Sequence, residues 1–528
     1  MAFDILIKNG SVVDGTGKRP AFKADVGIVG DKIFEIGNLA KAKAQTEINA
    51  SGMVVSPGFV DVQNHSDSYG SILNDNVLES MVRQGITTIL MGQCGSSLAP
   101  LLKGSLVSVQ KWASTSGTNI NWSSMAEFLD TLSKRKISLN VATLTGHATL
   151  RRDFVGDSVR PLTPKEEMQV NTLLKRSLAE GSYGFSVGLA YSHERLASEE
   201  EIIKLLNTTK FSNGVASFHL RNEGAEVYAS LNEVLGFLHH APVKTKISHL
   251  KMLGEKNIAA AEKLLRMFDV ASKSGANLSF DVYPYTASAI ILYLLLPEWA
   301  IVGGKNELIK KIKNSGTHEK IVRDIENKNY PYEKITIATS ALGQLFVGKS
   351  LAQVARDQNI SGAEAILNLL LAARDQVTVF WNDIDETVFE ILLKHPASII
   401  ASDGSGYNNE VKPRNAVPHP RSFGTTAKIL ERYVKERKVL SLEEAVYKMS
   451  AKPAEWLGLK NRGVIAKNFF ADIVIFDPVN IKDNSTFENP LKYPSGIKNV
   501  LVNGKIAVGE SGFSGTLAGQ VLKRGFKK

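Results

Sequence analysis

The sequence is poor in several things whose absence narrows its function. It has one cysteine, Cys94, in 528 residues. That excludes an intrachain disulfide framework and suits a reducing, cytoplasmic compartment. The N-terminal Met1-Ala-Phe-Asp-Ile-Leu-Ile7 lacks the charged start and long apolar core of a secretory signal. The longest apolar run, near Ala289-Ile-Ile-Leu-Tyr-Leu-Leu-Leu-Pro297, is too short to span a bilayer, so no membrane partner is expected. There is no low-complexity segment and no repeat beyond a strand–helix alternation. The formal net charge is +10, but Lys and Arg are dispersed. The densest groups are Lys310-Lys311-Ile-Lys313 and Lys523-Arg524 with Lys527-Lys528. No basic stripe interleaved with aromatics exists, so no nucleic-acid partner is expected. Mild basicity suits an anionic small-molecule substrate, and a solvated surface equally well.

Hydrophobic residues make up 43% of the chain, enough for a large core. Residues 1–55 and 463–528 have a β texture of short alternating strands. Asn9-Gly10, Gly30-Asp31 and Asn503-Gly504 are hairpin-turn signals within it. We expect one small β-sandwich domain built from both termini, the alternative being two unrelated β decorations. Residues 56–462 alternate strand and helix. Candidate strands run from Val54 to His65, Thr87 to Cys94, Asn140 to His147 and Gly184 to Tyr191, then Gly214 to His219, Thr245 to His249, Asn277 to Tyr283 and Ser398 to Asp403. Thr163-Pro-Lys-Glu166 is a capping box that opens a helix with Val170, Leu173, Leu174 and Leu178 as its apolar stripe. Ser361 and Ser441 open later helices in the same way. Eight strand–helix units predict an α/β fold, a (β/α)8 TIM-like barrel with its chemistry at the C-terminal strand ends. The spacing before the last strand is too wide for one helix, so about 295–385 reads as an insertion.

Ligand-type residues end these strands. In Gly58-Phe-Val-Asp-Val-Gln-Asn-His-Ser-Asp67 the residues Asp61, Gln63, His65 and Asp67 alternate, which on an extended chain puts them on one side. His65, Cys94, His219, His249 and Asp403 lie at the tips of five different strands, a donor set that suits Zn²⁺. For Cys94 the alternatives are a buried inert thiol or a nucleophile paired with histidine. For Asp403 the alternative is a turn cap. Lys251, Tyr283, Tyr285 and Arg421 could hold an anionic group, Arg through its fork. Arg421 also reads as an ordinary surface-loop residue.

Together these stretches resemble the D-aminoacylase (N-acyl-D-amino-acid deacylase) branch of the amidohydrolase superfamily nearly end to end. The resemblance rests on Pro57-Gly-Phe-Val-Asp61, Gly92-Gln-Cys-Gly95, Phe185-Ser-Val-Gly-Leu-Ala-Tyr191 and His219-Leu-Arg-Asn-Glu-Gly224. It continues through Ser248-His-Leu-Lys251, Asp281-Val-Tyr-Pro-Tyr285, Ser402-Asp-Gly404 and His419-Pro-Arg-Ser-Phe-Gly-Thr425. It implies a barrel of the metal-dependent hydrolase type that hydrolyses N-acyl-D-amino acids to a carboxylate and a free D-amino acid. It further implies a zinc ion on Cys94, His219 and His249, Asp403 as general base and acid, and Lys251, Tyr283, Arg421 and Tyr191 around the substrate. The chain departs from the family where His-x-His is replaced by Gln63-Asn-His65. A second metal on His65 and Asp403 is therefore expected to be weak or absent. It departs again at Ser192-His-Glu-Arg-Leu-Ala197, where His193 is expected at the surface. The alternatives are a cyclic amide hydrolase of the dihydroorotase or hydantoinase type, and a catalytically impaired binding protein on the same fold. The sequence leaves monomer or homo-oligomer undetermined.

Overall fold

The computed structural model describes residues 2–102, 120–156, 158–254, 256–340, 342–373, 376–408 and 416–525. Lys527 and Lys528 of the basic C-terminal group lie outside them. Among the described residues no helix is long and apolar enough to cross a membrane.

Both ends of the chain feed one nine-stranded sheet. Phe3–Val12 pairs antiparallel with Phe22–Val29 and parallel with Ala44–Asn49 and Val54–Pro57. Val54–Pro57 then pairs antiparallel with Ile473–Phe476, which leads into the C-terminal strands Ile497–Val502 and Lys505–Gly509. Ile7, Val12, Val26, Val55, Ile473 and Leu501 pack together in its core. Two expectations change here. Asn9-Gly10 is not a hairpin turn. Phe3–Val12 runs straight through it, with a register shift between Ile7 and Gly10 and Asn9 at φ 62°, the signature of a bulge. The predicted first barrel strand is also split. At Gly58 a Cβ would lie 2.3 Å from Thr87 Oγ1, and the chain passes this crowded point from one sheet to another. Val54–Pro57 stays with the terminal sheet, and only Phe59–Asp61 joins the barrel.

The barrel strands are all parallel. The first three, Phe59–Asp61, Ile86–Met91 and Asn140–Thr143, form one arc. The third continues as Thr145–Gly146 into a second arc of Gly184–Gly188, Val215–His219, Lys244–Ile247, Leu278–Val282 and Ser398–Ile400. First and eighth strands meet where Asp403 N donates to Gln63 O at 2.9 Å and His65 N to Gly404 O at 2.8 Å. Helices cover the outside as the amphipathic pattern requires. Pro164–Ala179 carries the full Thr163–Glu166 capping box and buries Val170, Leu173, Leu174 and Leu178.

Between the seventh and eighth strands lies a three-stranded antiparallel sheet of Ala287–Ile291, Val377–Asn382 and Ile335–Ser340, accompanied by helices that include Gly304–Lys313 and Gly362–Ala372. It starts earlier than about 295, because the long apolar run is itself a buried strand followed by a 3-10 turn, Leu292–Leu295. Its apolar core, with Ile291, Leu295, Ile337 and Ile366, is continuous with Cys94 and Tyr191. The insertion therefore roofs the mouth of the barrel.

Candidate active site

Among the described residues, three non-glycine residues at the barrel mouth sit in left-handed backbone: Cys94 at φ 53°, His249 at 36° and Asp403 at 51°. Non-glycine residues avoid this region unless the surroundings hold them there. Here the chain turns sharply just after a strand. The Cys94 turn is fastened from several sides. Asp67 Oδ2 accepts from Gly92 N at 2.8 Å, and Gly95 N donates to Ser186 Oγ at 3.0 Å. Gly95 has φ 77°, and a Cβ there would meet Glu194 Oε2 at 2.1 Å. His249 N donates to Asp281 Oδ1 at 2.8 Å.

These turns bring Cys94, His219 and His249 together, each buried and offering one ligand atom, with the three atoms within 4.8 Å of one another. Cys94 Sγ lies 3.4 Å from His249 Nε2. The rings of the two histidines stand nearly perpendicular, 4.5 Å apart. Glu223, one helical turn's worth of sequence beyond His219, holds both from outside. Its Oε1 is 2.9 Å from His249 Nδ1, its Oε2 is 3.7 Å from His219 Nε2, and Lys251 Nζ donates to Oε1 at 2.6 Å. His219 Nδ1 is buried with no hydrogen-bond partner. One thiol and two imidazoles that face a shared carboxylate fit a zinc ion, and three protein ligands leave a position for water or substrate. Burial alone would push the Cys94 thiol up, but His249, His219 and His65 outweigh it and hold the thiol well below its ordinary value.

Facing this cluster is Asp403. Its Oδ1 lies 3.0 Å from His65 Nε2 and its Oδ2 lies 2.5 Å from Arg421 Nη1. Burial raises its affinity for a proton, yet Arg421, His249 and His65 overcome that and keep the carboxyl well below the carboxylate range. The Arg421 guanidinium stands 4.7 Å above the Tyr283 ring. Arg421 is not the surface-loop residue that its sequence context equally allows. It is buried, and its N donates to His419 Nδ1 at 3.1 Å. Tyr191 packs on His219 with ring centroids 4.9 Å apart. Ser288, Ala289 and Ile290 of the insertion complete the wall.

Several residues depart from expectation. Asp61, Gln63, His65 and Asp67 do not share one side, because the strand ends at Asp61 and the chain turns. Asp61 Oδ1 accepts from Ser402 N at 3.0 Å and Asp67 from Gly92 N, so both fasten backbone. Only Gln63 and His65 enter the site. Tyr285 points away, its hydroxyl donating to Asp483 Oδ2 at 2.7 Å. His193 is buried on the short helix Ser192–Arg195, not at the surface. Sequence reasoning missed Glu223, Lys246, Asp281 and Tyr69. Glu223 stands inside the His219–Gly224 stretch, and its spacing of four from His219 is the signal that could have found it.

Residues 46–205 and 348–508 match the amidohydrolase family. The chain is 30% identical over 522 residues to D-aminoacylase of Alcaligenes xylosoxydans xylosoxydans, covering 99% of this chain and 98% of the relative. N-acyl-D-glutamate deacylase from Bordetella bronchiseptica, solved with zinc and a phosphonate mimic of the tetrahedral intermediate, superposes with a TM-score of 0.84. It is 29% identical and covers 99% of this chain and all of its own. A D-aminoacylase structure matches with the same score, identity and coverage of this chain. Its binuclear metal centre is described as showing one-metal activation and second-metal attenuation.

Proposed function

The chain belongs to the amidohydrolase family, and from that premise we propose that it hydrolyses the amide bond of N-acyl-D-amino acids to a carboxylate and a free D-amino acid, using zinc. The observation that carries this reading is the buried triad Cys94–His219–His249 facing the Asp403 carboxyl across a small space. Cys94, His219 and His249 would hold the metal, and Glu223, 2.9 Å from His249 Nδ1, orients that imidazole. A zinc ion held there would supply a water of lowered pKa and polarise the amide carbonyl. Asp403 takes a proton from the attacking water and returns it to the leaving nitrogen. Its low proton affinity in the resting site keeps it in the form that accepts one.

The substrate carboxylate goes to Arg421. Its Nε has no hydrogen-bond partner and its ring-stacked fork is held beside Asp403, so donors remain for a planar anion. Lys251 is neutralised by Glu223 at 2.6 Å, which makes it the weaker anchor. Tyr283 supports the guanidinium, and Tyr191 with Ile290 forms the apolar side. A cytoplasmic setting suits the single thiol ligand, which an oxidising compartment would endanger. A panel of N-acetyl-D- and N-acetyl-L-amino acids together with hydantoins tests the reading. Amine release from the D-enantiomers supports it, and ring opening of hydantoins alone would replace it with the cyclic amide alternative.

A further inference from the structure

Lys246 is the least expected residue of the barrel. It lies within the sixth barrel strand, Lys244–Ile247, and its side chain is fully buried. Its ammonium is bound by Asp281 Oδ2 and donates to Gln63 Oε1 at 2.7 Å. An ammonium group carries donors only. The oxygen of the Gln63 amide must therefore face Lys246, which fixes the orientation of an amide that would otherwise be ambiguous. The Gln63 NH₂ then faces inward. Nε2 lies 3.3 Å from Cys94 Sγ, 3.4 Å from Asp403 Oδ1 and 3.5 Å from His65 Nε2.

Those three groups surround the position where a second divalent ion would sit beside the first. At that position the chain presents two N–H donors and no lone pair from residue 63. The buried Lys246–Asp281 ion pair stands behind them. The donors hydrogen-bond the Cys94 sulfur and the Asp403 carboxylate, two acceptors that would otherwise be open to a second metal. Rotating the amide to offer its oxygen would set NH₂ against the buried ammonium and leave that ammonium with Asp281 as its remaining acceptor. Resting on the zinc hydrolase reading above, we propose that Lys246, acting through the amide of Gln63, stands in for a second metal ion. The chain is then a one-metal enzyme that excess zinc does not attenuate.

The test counts metal. Metal-free full-length protein is equilibrated with zinc from below one equivalent to a large excess, separated in zinc-buffered medium, and analysed by plasma mass spectrometry. Cobalt(II) is run in parallel for its thiolate charge-transfer band. Wild type is expected to stop at one ion per chain, with hydrolysis rates flat in excess zinc. Gln63→Glu keeps one oxygen for Lys246 and turns the other inward, so it is expected to take a second ion per chain. Two ions on wild type, or a folded Gln63→Glu that still stops at one, overturns the proposal while leaving the hydrolase reading intact. No ion on wild type overturns both. Should Gln63→Glu not fold, the wild-type count and its response to excess zinc decide alone.

Discussion

Glu223 offers the sharpest test of how the histidines are held. It is buried, and it faces both imidazoles and the Lys251 ammonium at distances of 3.7, 2.9 and 2.6 Å. Glu223→Gln keeps the shape and removes the charge. Two effects then combine. His249 loses the carboxylate that lies 2.9 Å from its Nδ1 and fixes its ring, His219 loses a neighbouring negative charge, and Lys251 becomes an uncompensated cation close to a divalent ion. Loss of such a supporting partner costs about 10- to 100-fold in metal affinity, roughly 1.4–2.7 kcal/mol, and a carboxylate serving two ligands at once places this variant at the upper end. The assay is competition for zinc against a chromophoric chelator at neutral pH, followed by kcat and kcat/KM at saturating zinc. We expect zinc affinity to fall about 100-fold, with most of the activity returning when zinc is saturating. Unchanged zinc affinity in folded Glu223→Gln would refute the reasoning, because the carboxylate would then not be tuning the ligands.

Cys94→Ala should lose the metal and with it hydrolysis, measured by metal analysis of protein whose circular dichroism is unchanged, since two imidazoles alone make a poor zinc site. Arg421→Lys should lower kcat/KM for N-acyl-D-amino acids by roughly 10- to 150-fold, the value of a charge-assisted contact of about 1.5–3 kcal/mol. An unchanged value would remove Arg421 from substrate binding. Gly95→Ala forces a Cβ to within 2.1 Å of Glu194 Oε2 at φ 77°, so zinc affinity and melting temperature should fall together. His147 is buried between Glu194 at 3.1 Å and Glu201 at 2.7 Å. Burial disfavours its charge, but the two carboxylates prevail and raise its pKa above 6.5. A raised histidine stabilises fully below its unfolded pKa and loses that contribution as pH rises through the folded value. The stability difference between wild type and His147→Gln, measured by urea unfolding, should therefore be largest below about pH 6.5 and narrow on the alkaline side. A difference independent of pH would contradict this.

The strand tips were legible in the sequence because an apolar run ending in Cys94, His219, His249 or Asp403 delivers a ligand-type side chain to one rim, and closing the barrel gathers those rims into one mouth. Arg421 and Tyr283 were legible through the family resemblance. Lys246 was not, because Lys244-Thr-Lys246 alternates as a solvated face would, and only closure of the barrel shows that Lys246 points inward. Glu223 was hidden because its role depends on a loop folding back over two histidines from different strands. Asn9-Gly10 carries the same short hairpin signal as Asn503-Gly504, yet parallel partners on the same strand hold it extended. Local turn chemistry lost there to sheet pairing. The start of the insertion was misplaced because a buried strand and a buried 3-10 turn share one unbroken apolar run.

One paired assay separates zinc-dependent hydrolysis of N-acyl-D-amino acids from the other readings. Purified protein is offered matched N-acetyl-D- and N-acetyl-L-amino acids as isolated, after chelation, and after readdition of one equivalent of zinc, with free amine as the readout. Amine is expected from the D-series, with none after chelation and recovery with the single equivalent. Release that persists without metal, or no release from any D-substrate by zinc-loaded protein, would contradict it.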